Sequence, residues 1–440
     1  MGATIVSEQM HASRIRGYAF LIGIKDFAER AIETQTGNFT MARIVVAMSG
    51  GVDSSVAAAL LKEQGHEVIG IMLRLWSEPG VIEAEDDGIE RVVQNKCCSL
   101  EAVDDARHVA RMLDIPFYLV NVEKEFKDKI VDSFYEDYTA GLTPNPCLTC
   151  NRHIRFTLLL NRALALDADY LATGHYVRVD DHPITGKRRL RRAVDPDKDQ
   201  SYVLHVLNQH QLAHACFPLG SYTKPQVRAM AAERGMNVAT KAESQEICFV
   251  AQNNYRGFID RYAKAKVTEM ATFAGNATSS STAPGTTGSL ISIPEPGPIY
   301  DLQGNVLGRH RGLAYYTIGQ RKGLGITSRE PLHVIKIDSA CNALVVGHAS
   351  ALDRQEFIVG NMHYLSGEIP TAPFEAQVRV RYKALEQPAL LTPLEGKRVH
   401  VRLLHPQRAI TPGQAAVFYG GEDGDEVLCG GIIASESGTP

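Results

Sequence analysis

Residues 43–73 read RIVVAMSGGVDSSVAAALLKEQGHEVIGIML, and this stretch decides the fold. RIVVAM is typical of a buried strand, SSVAAALLKEQ of a helix with an apolar face that ends at Gly65, and EVIGIML of a second strand. The alternation continues with a helix over 99–113, a strand over 116–122 and a helix over 124–141. Strands that alternate with helices predict an α/β fold with a doubly wound parallel sheet.

The loop SGGVDSS, residues 49–55, joins the first strand to the first helix. Ligands of doubly wound sheets bind at the carboxyl ends of the strands, where this loop lies. Gly50 and Gly51 let the backbone turn tightly, and three serines add hydroxyl groups at the positive end of a helix. The loop therefore predicts a phosphate site, with Asp53 either as a Mg²⁺ ligand or as an ordinary acid at a helix start. It lacks the GK[ST] ending of a Walker A loop and resembles the PP-loop of the ATP pyrophosphatases, which adenylate an oxygen and release pyrophosphate.

Composition limits the class of protein. The chain has 440 residues, a formal net charge of -4, a mean hydropathy of -0.14 and eight cysteines. The length favours two or three domains, and the hydropathy favours a soluble, cytoplasmic protein with no membrane partner. Because the net charge is slightly negative, local basic patches must hold any nucleic acid. The cysteines indicate thiol chemistry rather than a disulfide framework.

Residues 1–40 stand apart from the regular pattern. RIRGYAFLIGI is a short apolar run that Lys25 and Asp26 interrupt, and the acidic residues of the segment argue against an organellar transit peptide. We expect the functional fold to begin at Met41 and the extension to be dispensable.

Three cysteines are candidates for chemistry. Cys147 and Cys150 lie in GLTPNPCLTCNRHIRF, and Cys248 lies far along the chain in KAESQEICFV. The prolines predict an extended loop that carries Cys147 and Cys150 just before a helix. A cysteine near a helix start gains thiolate character, which favours a reactive role.

Two other interpretations of the CxxC pair are open. One CxxC is a weak zinc signal, which Cys97 and Cys98 would have to complete as a four-thiolate site. Alternatively, the cysteines are inert and buried.

A set of ordered motifs makes the assignment specific. The motifs are AMSGGVDSSVAA, TPNPC..CN, ATGHY, DPDKDQSYVL, ESQEICF, GRHRGLAYYTIGQRKGLG and VRVRYKA. Over about residues 42–434 the chain thereby resembles the tRNA-specific 2-thiouridylases. These PP-loop sulfurtransferases replace the C2 oxygen of the wobble uridine by sulfur. The resemblance implies a PP-loop domain, a β-rich central domain and a C-terminal antiparallel β-barrel.

The resemblance implies where ATP binds, together with Mg²⁺, and what it does. Adenylation of the C2 oxygen releases pyrophosphate, and AMP leaves when sulfur takes the place of that oxygen. The implied ATP residues are Ala47, Met48, Ser49, Gly50, Gly51, Val52, Asp53 and Ser54 in the loop, with Met72 and Gly174 on the adenine and ribose side.

The resemblance also implies the sulfur chemistry. A persulfide-carrying donor protein delivers sulfur to Cys248. Cys150 then either attacks the persulfide, which releases hydrogen sulfide and forms a Cys150–Cys248 disulfide, or positions the persulfide for direct attack on the base. Both routes need thiolates near neutral pH in a site closed to water, and a thiol reductant must reset the pair.

Cys147 departs from part of the family. Many members carry Asp at this position, where the residue acts as a general acid or base near the target base. A cysteine there opens a second possibility, an iron–sulfur cluster on Cys147, Cys150 and Cys248. Persulfide chemistry is the favoured interpretation. No residue is assigned as a ligand of a metal other than the Mg²⁺ that accompanies ATP.

The tRNA is expected to contact several patches. The contacts that the resemblance implies are Asn145, Pro146, Cys147, His175, Lys198, Asp199, Gln200, Arg381, Tyr382 and Gln414. An anticodon base must leave its stack to reach such a pocket. The basic run GKRRLRR, residues 186–192, is either a further phosphate-binding patch or a solvated surface, and His175 either touches the base or packs in the core.

The composition changes after residue 270. A Gly/Ser/Thr-rich stretch predicts a flexible insertion near 271–289. Five alternating runs follow, and the last four, beginning with HVIKIDSACNALVVG, predict a small antiparallel barrel. The expected divisions are an extension over 1–40, the ATP-binding catalytic domain over 41–217 with the second cysteine carried by 237–255, a central tRNA-binding domain over 218–353 and the barrel over 354–437.

Two other functions are compatible with parts of the sequence. A different PP-loop ATP-dependent ligase would keep the loop but would not need Cys150 and Cys248. A non-catalytic RNA-binding protein would keep the barrel and the basic patches but would not need the loop.

Overall fold

The computed structural model describes residues 41–78, 82–84, 90–92, 99–243, 247–251, 254–276 and 294–435. The predictions for the extension over 1–40 and for Cys97 and Cys98 concern residues outside these ranges. Most of the predicted insertion also lies outside them, but its first six residues, 271–276, belong to the end of a helix.

A five-stranded sheet organises the first part of the chain. Its order is β5-β2-β1-β6-β9, and every neighbouring pair is parallel. The strands are β1 (Arg43–Met48), β2 (Glu67–Arg74), β5 (Phe117–Asn121), β6 (Tyr170–Ala172) and β9 (Ala215–Cys216). The predicted doubly wound sheet is confirmed. A short antiparallel hairpin, β3 (Ile82–Ala84) and β4 (Glu90–Val92), was not anticipated.

Helices cover both faces of this sheet and continue beyond it. They are α1 (Val52–Glu63), α2 (Leu100–Met112), α3 (Glu123–Phe126), α4 (Asp132–Thr139), α5 (Pro146–Cys150), α6 (Leu160–Leu164), α7 (Ser201–Leu204), α8 (Gln209–Ala213), α9 (Lys224–Glu233) and α10 (Tyr255–Asn276). Helix α9 shares a buried core with α1, through Val227 and Met230 against residues such as Val56. The predicted division after residue 217 thus falls before a helix that packs in the same core as the ATP loop.

The cysteine-bearing segment is helical, which corrects the predicted loop. Helix α5 continues through a π-helical stretch, Asn151–Leu159, into α6. The Asn145 side chain caps it by accepting from the Cys147 amide at 3.2 Å, and Pro146 occupies the first turn. Asn as N-cap and Pro at the first helical position both favour a helix start, so the helix begins before Cys147 rather than after Cys150.

The central part contains a four-stranded sheet of order β11-β10-β13-β12. Its strands are β10 (Gly297–Tyr300), β11 (Val306–His310), β12 (His333–Asp338) and β13 (Ala343–Gly347). The run HVIKIDSACNALVVG therefore belongs to this sheet, and its assignment to the barrel was wrong. Alternating polarity identifies a strand but not the sheet that it joins.

The C-terminal part closes into a six-stranded antiparallel barrel. Its strands are β14 (Asp353–Tyr364), β15 (Phe374–Arg379), β16 (Gln387–Leu394), β17 (Arg398–Arg408), β18 (Ala415–Gly420) and β19 (Glu426–Ile433). Pairing of β14 with both β17 and β19 closes the cylinder, which leaves fewer unpaired edges. The predicted class, an α/β domain followed by a β-rich central part and a barrel, is confirmed.

The basic run forms part of an ion-paired hairpin rather than a free patch. Strands β7 (Val177–Asp181) and β8 (Arg188–Arg192) pair with each other, and β8 joins β19 through Arg191 and Glu426. The acidic partners of the run are Asp180, Asp181, Glu368, Glu386, Asp423, Asp425 and Glu426. The charges therefore attach the hairpin to the barrel, which neither sequence interpretation foresaw.

Among the described residues, no helix combines the length and apolar character needed to cross a bilayer.

Candidate active site

The SGGVDSS loop lies where β1 ends and α1 begins. Gly50 has a φ of +66°, and a Cβ there would lie 2.1 Å from the Ala102 carbonyl oxygen of α2, so only glycine fits. The Ser54 hydroxyl holds the turn by accepting from the Ser49 amide at 3.1 Å. Gly51 at the N-cap has no side chain to occupy the first amides of α1. These amides and the positive helix end fit the phosphates of a nucleotide.

The residues that follow β6 lie against the SGGVDSS loop. The strand order reverses between β1 and β6, and such a switch point is the usual ligand crevice of an open α/β sheet. A Cβ on Gly174 would lie 2.8 Å from the Asp53 carbonyl carbon and the Ser54 nitrogen. The backbone of Gly174 therefore lies directly against the backbone of Asp53 and Ser54 in the loop.

Asp53 is held by two partners from elsewhere in the chain. Lys224 Nζ lies 2.7 and 2.8 Å from its two carboxylate oxygens, and the Tyr176 hydroxyl donates to Oδ1 at 2.6 Å. Burial and the Asp53 charge both raise the pKa of Tyr176, so this phenol remains a donor. Asp53 would ligate Mg²⁺ in competition with these two partners.

His175 connects the loop to the cysteine helix. Its Nε2 accepts from Arg155 at 3.1 Å, and its Nδ1 donates to the Thr173 hydroxyl at 2.7 Å. Arg155 lies in the π-helical stretch that follows Cys150. Burial, together with the Arg155 charge, lowers the pKa of His175 well below its ordinary value, so the ring is neutral. His175 packs between Phe156 and Phe217, which supports the packing interpretation.

Cys150 and Cys248 are half-buried against the same hydrophobic cluster. Ile154 of the cysteine helix and Phe249, which follows Cys248, both belong to this cluster. Phe249 makes edge contacts with Phe126 and Phe134, at centroid distances of 5.8 and 5.2 Å. The packing anchors two segments that are distant in sequence beside one apolar surface, and it limits the access of water to their thiols.

The described residues do not form a site that fits an iron–sulfur cluster. Cys147 is exposed, whereas Cys150 and Cys248 are half-buried. Across the described ranges, no group of three or more His, Cys, Asp or Glu side chains is placed to hold a metal ion. A cluster needs converging thiolates, and this arrangement does not provide three of them.

The barrel contributes residues to the neighbourhood of Cys147. Gln414 Nε2 donates to the carbonyl oxygen of Thr143, two residues before the Asn145 cap, at 2.8 Å. Tyr382 is partly exposed, and burial together with the nearby charge of Asp199 raises its pKa. Arg381 donates to the Ala409 carbonyl oxygen and to the Thr411 hydroxyl. Gln414 thus positions the cysteine segment. Arg381 links two segments of the barrel part, and Tyr382 has a solvent-accessible ring.

Several residues predicted to bind ligands also make internal contacts. Asp199 is buried, accepts from the Ser201 hydroxyl at 2.8 Å and pairs with Arg379 at 3.2 Å. Gln200 accepts from the Tyr176 amide at 2.9 Å. The Met72 side chain is 1% exposed and packs in the core, so an adenine contact at this residue would use its backbone. In this structure the Asp199 carboxylate thus serves internal contacts with Ser201 and Arg379.

The remaining predicted residues lie around the same loop and helix. Lys198 is half-buried and pairs with Glu243 at 2.5 Å. Ser49 is exposed at the loop, whereas Met48 and Val52 are buried on either side of it.

Sequence reasoning missed Lys224, Tyr176 and Arg155. Tyr176 lies in the quoted motif ATGHY and could have been found there. Arg155 lies five residues beyond Cys150, within the quoted stretch GLTPNPCLTCNRHIRF. Lys224 meets Asp53 across 171 residues, a pairing that no local pattern reveals.

Comparison with known proteins gives three family matches. They are a tRNA methyl transferase HUP domain over residues 42–252, a tRNA methyl transferase PRC-barrel domain over 291–348 and an aminomethyltransferase beta-barrel domain over 354–433. The three matches follow the parallel sheet, the central sheet and the barrel in order.

Curated relatives match almost the whole chain. The tRNA-specific 2-thiouridylase MnmA of Roseiflexus castenholzii is 46% identical over 410 residues, which cover 90% of this chain and 100% of the relative. The tRNA-specific 2-thiouridylase MnmA of Chloroflexus aggregans is 47% identical over 399 residues, with 90% and 99% covered. Identity at this level over nearly full length shows common descent and a common fold, so the chain belongs to the tRNA-specific 2-thiouridylase family.

Proposed function

We propose that the protein is an ATP-dependent sulfurtransferase that converts a uridine of tRNA into 2-thiouridine. One observation supports this most directly: consecutive residues connect the ATP loop to the cysteine helix. Gly174 lies against Asp53, His175 accepts from Arg155, and Tyr176 donates to Asp53. A nucleotide on the loop and a base beside Cys150 would thus share one small site, as two-step chemistry on one atom requires.

In the first step, the C2 oxygen of the uridine attacks the α-phosphate of ATP and pyrophosphate leaves. The amides at the start of α1 bind phosphate oxygens and stabilise the charge that develops on them. When bound, Mg²⁺ would screen the phosphate charges, with Asp53 as the loop carboxylate nearest to them. The C2 oxygen is then bonded to AMP, which is a good leaving group.

In the second step, sulfur takes the place of that oxygen. The terminal sulfur of a persulfide on Cys248 attacks C2, and AMP leaves with the oxygen. The Cys150 thiolate then attacks the Cys248 sulfur, which frees the 2-thiouridine and leaves a Cys150–Cys248 disulfide. A thiol reductant supplies the two electrons that restore both thiols, and a donor protein of the persulfide type reloads Cys248.

The persulfide route is preferred to the cluster route on the positions of the cysteines. Cys150 and Cys248 pack on one apolar surface, whereas Cys147 is exposed on the same helix as Cys150. A pair of thiols is sufficient for the persulfide route. The exposed Cys147 is then available for proton transfer at the target base.

The test combines purified protein, unmodified tRNA, ATP and a low-molecular-weight persulfide. Mass spectrometry of tRNA digests measures 2-thiouridine, and an enzyme-coupled assay measures pyrophosphate. We expect about one pyrophosphate for each 2-thiouridine, both dependent on tRNA. Pyrophosphate release without a thiolated nucleoside would favour a PP-loop ligase, and tRNA binding without pyrophosphate release would favour a non-catalytic RNA-binding protein.

A further inference from the structure

Lys224 is a buried lysine whose ammonium group faces the ATP loop. It is the first residue of α9, and its side chain is 8% exposed. Its backbone amide donates to Asp195 Oδ2 at 2.8 Å, which fixes the helix start. Lysine is almost never this buried without a specific partner, so the partners of Lys224 indicate what its ammonium group can do.

Among the described residues, the ammonium group has two carboxylate neighbours, Asp53 on the loop and Glu243 off it. It contacts both oxygens of Asp53, at 2.7 and 2.8 Å, and lies 3.4 Å from Glu243 Oε1. The Tyr176 ring covers it at 5.7 Å from the ring centroid. Lys224 can therefore leave Asp53 without losing every negative partner.

Glu243 is itself held by other cations. Lys198 Nζ lies 2.5 Å from its Oε2, and Arg228 lies 3.9 Å from its Oε1. Burial opposes ionisation of Glu243, but Lys198 and Lys224 outweigh it and lower its pKa. This carboxylate thus stays ionised near neutral pH, beside Lys224 and off the loop.

The loop itself provides no lysine, although phosphate sites commonly use one as a point charge. The loop residues 49–55 are SGGVDSS, and the fold places Lys224 against this loop from 171 residues away. The ammonium group contacts Asp53, which lies in the first turn of α1. The phosphates of a nucleotide would bind at this positive helix end.

We propose that Lys224 is a phosphate-binding residue of the ATP site, which Asp53 and Glu243 hold in place until the nucleotide binds. Binding of ATP moves the ammonium group from Asp53 to a phosphate oxygen, and Glu243 keeps it near the loop. This inference rests on the proposed function only in taking ATP as the ligand of the loop.

Calorimetry with the full chain tests the inference with adenosine, AMP and ATP with Mg²⁺. Lys224→Met should weaken ATP binding about 10- to 100-fold, the value of a hydrogen bond to a charged group. Adenosine affinity should stay within about twofold, because adenosine carries no phosphate. Lys241→Met is the matched control, since Lys241 is a half-buried lysine paired with Asp105 at 2.5 Å. Equal losses for ATP and adenosine would mean a structural role for Lys224 and would overturn the inference.

A second measurement uses the unmutated chain, in case Lys224→Met does not fold. An ATP acyl phosphate binds as ATP does and transfers its acyl group to a lysine amine beside the phosphates, with release of ATP. Peptide mapping should find the acyl group on Lys224, and excess ATP should prevent the labelling. Labelling only at other lysines would overturn the inference. Failure of the wild-type chain to bind ATP would contradict the proposed function itself, whereas ATP binding that Lys224→Met leaves unchanged would contradict this inference alone.

Discussion

Gln414 of the barrel donates from Nε2 to the carbonyl oxygen of Thr143 at 2.8 Å, across 271 residues of sequence. The Thr143 amide in turn donates to the carbonyl oxygen of Pro412, another residue of the barrel part, at 3.0 Å. Asn145, which caps the cysteine helix, follows two residues later. The barrel therefore fixes the start of the helix that carries Cys147 and Cys150.

Replacing Gln414 by Leu should strongly lower the thiolation rate while the protein stays folded. The Thr143 carbonyl loses one partner, at a cost of about 1–3 kcal/mol, and the start of the cysteine helix gains freedom. Because small displacements of reacting groups reduce rates strongly, we expect a loss of about 10- to 100-fold in thiolation rate. Gln407→Leu is the control, since Gln407 accepts from Gln387 at 2.9 Å within the barrel. Equal thiolation rates for the two variants would show that the contact does not position the cysteines.

Replacing Arg191 by Ala should destabilise the protein without changing how salt affects tRNA binding. Arg191 is 15% exposed and pairs with Asp180, Asp423 and Asp425 at 3.2, 2.6 and 2.8 Å. Its loss leaves carboxylates with fewer partners between hairpin and barrel, so unfolding should become easier by about 1–3 kcal/mol. Urea unfolding measures this, with Lys264→Ala, an exposed lysine of α10, as control. A flatter salt dependence of tRNA affinity with unchanged stability would restore the phosphate-binding interpretation.

Replacing Asp53 by Asn should abolish tRNA-dependent pyrophosphate release and also lower stability. Asp53 is the carboxylate that holds Lys224, so its neutralisation weakens the pairing of a buried cation, at a cost of about 1–3 kcal/mol. Glu243 remains near Lys224 and should keep the fold intact. Glu63→Gln, which loses the pairing with Arg234 at the other end of α1, is the control. Wild-type pyrophosphate release by Asp53→Asn would refute the assignment of the loop.

Asp137 of α4 should make stability depend on pH. Burial, and then the nearby Glu136 charge, raises its pKa to about 6 from the ordinary 3.8. The folded state therefore binds this proton more tightly than the unfolded state does, and this contribution to stability is lost as pH rises from about 4 to about 6. Asp137→Asn should stabilise the protein at pH 7.5 and change little at pH 4, as measured by urea unfolding at each pH. An equal effect at both values would contradict the assigned titration.

The periodicity of the sequence was sufficient to predict the parallel sheet, because buried strands and amphipathic helices leave local signatures in 43–141. The helix at Cys147 was predictable from Asn145 and Pro146, whose capping roles were overlooked in favour of proline as an extended residue. By contrast, the pairing of Lys224 with Asp53 and of Gln414 with Thr143 spans 171 and 271 residues. Such contacts follow from tertiary packing and have no local signal.

The basic run illustrates a different limit. Five of the seven residues in GKRRLRR, residues 186–192, are Lys or Arg. The run by itself therefore suggested a surface that binds phosphates. The neutralising carboxylates come from β7 and from the barrel, including Asp425 and Glu426. Charge patterning cannot show which distant side chains will face a run after folding.

The most direct test of the central claim compares the cysteine variants in an anaerobic thiolation assay with iron quantified in each preparation. We predict that Cys147→Asp thiolates tRNA within about 10²-fold of wild type, because a positioned acid or base contributes roughly 10²–10⁴-fold and aspartate supplies one. Cys150→Ser and Cys248→Ser should be inactive, and Cys341→Ser, at an exposed cysteine of the central part, should match wild type. All active preparations should contain no iron. Thiolation that rises and falls with bound iron, and that Cys147→Asp abolishes, would contradict persulfide transfer between Cys248 and Cys150.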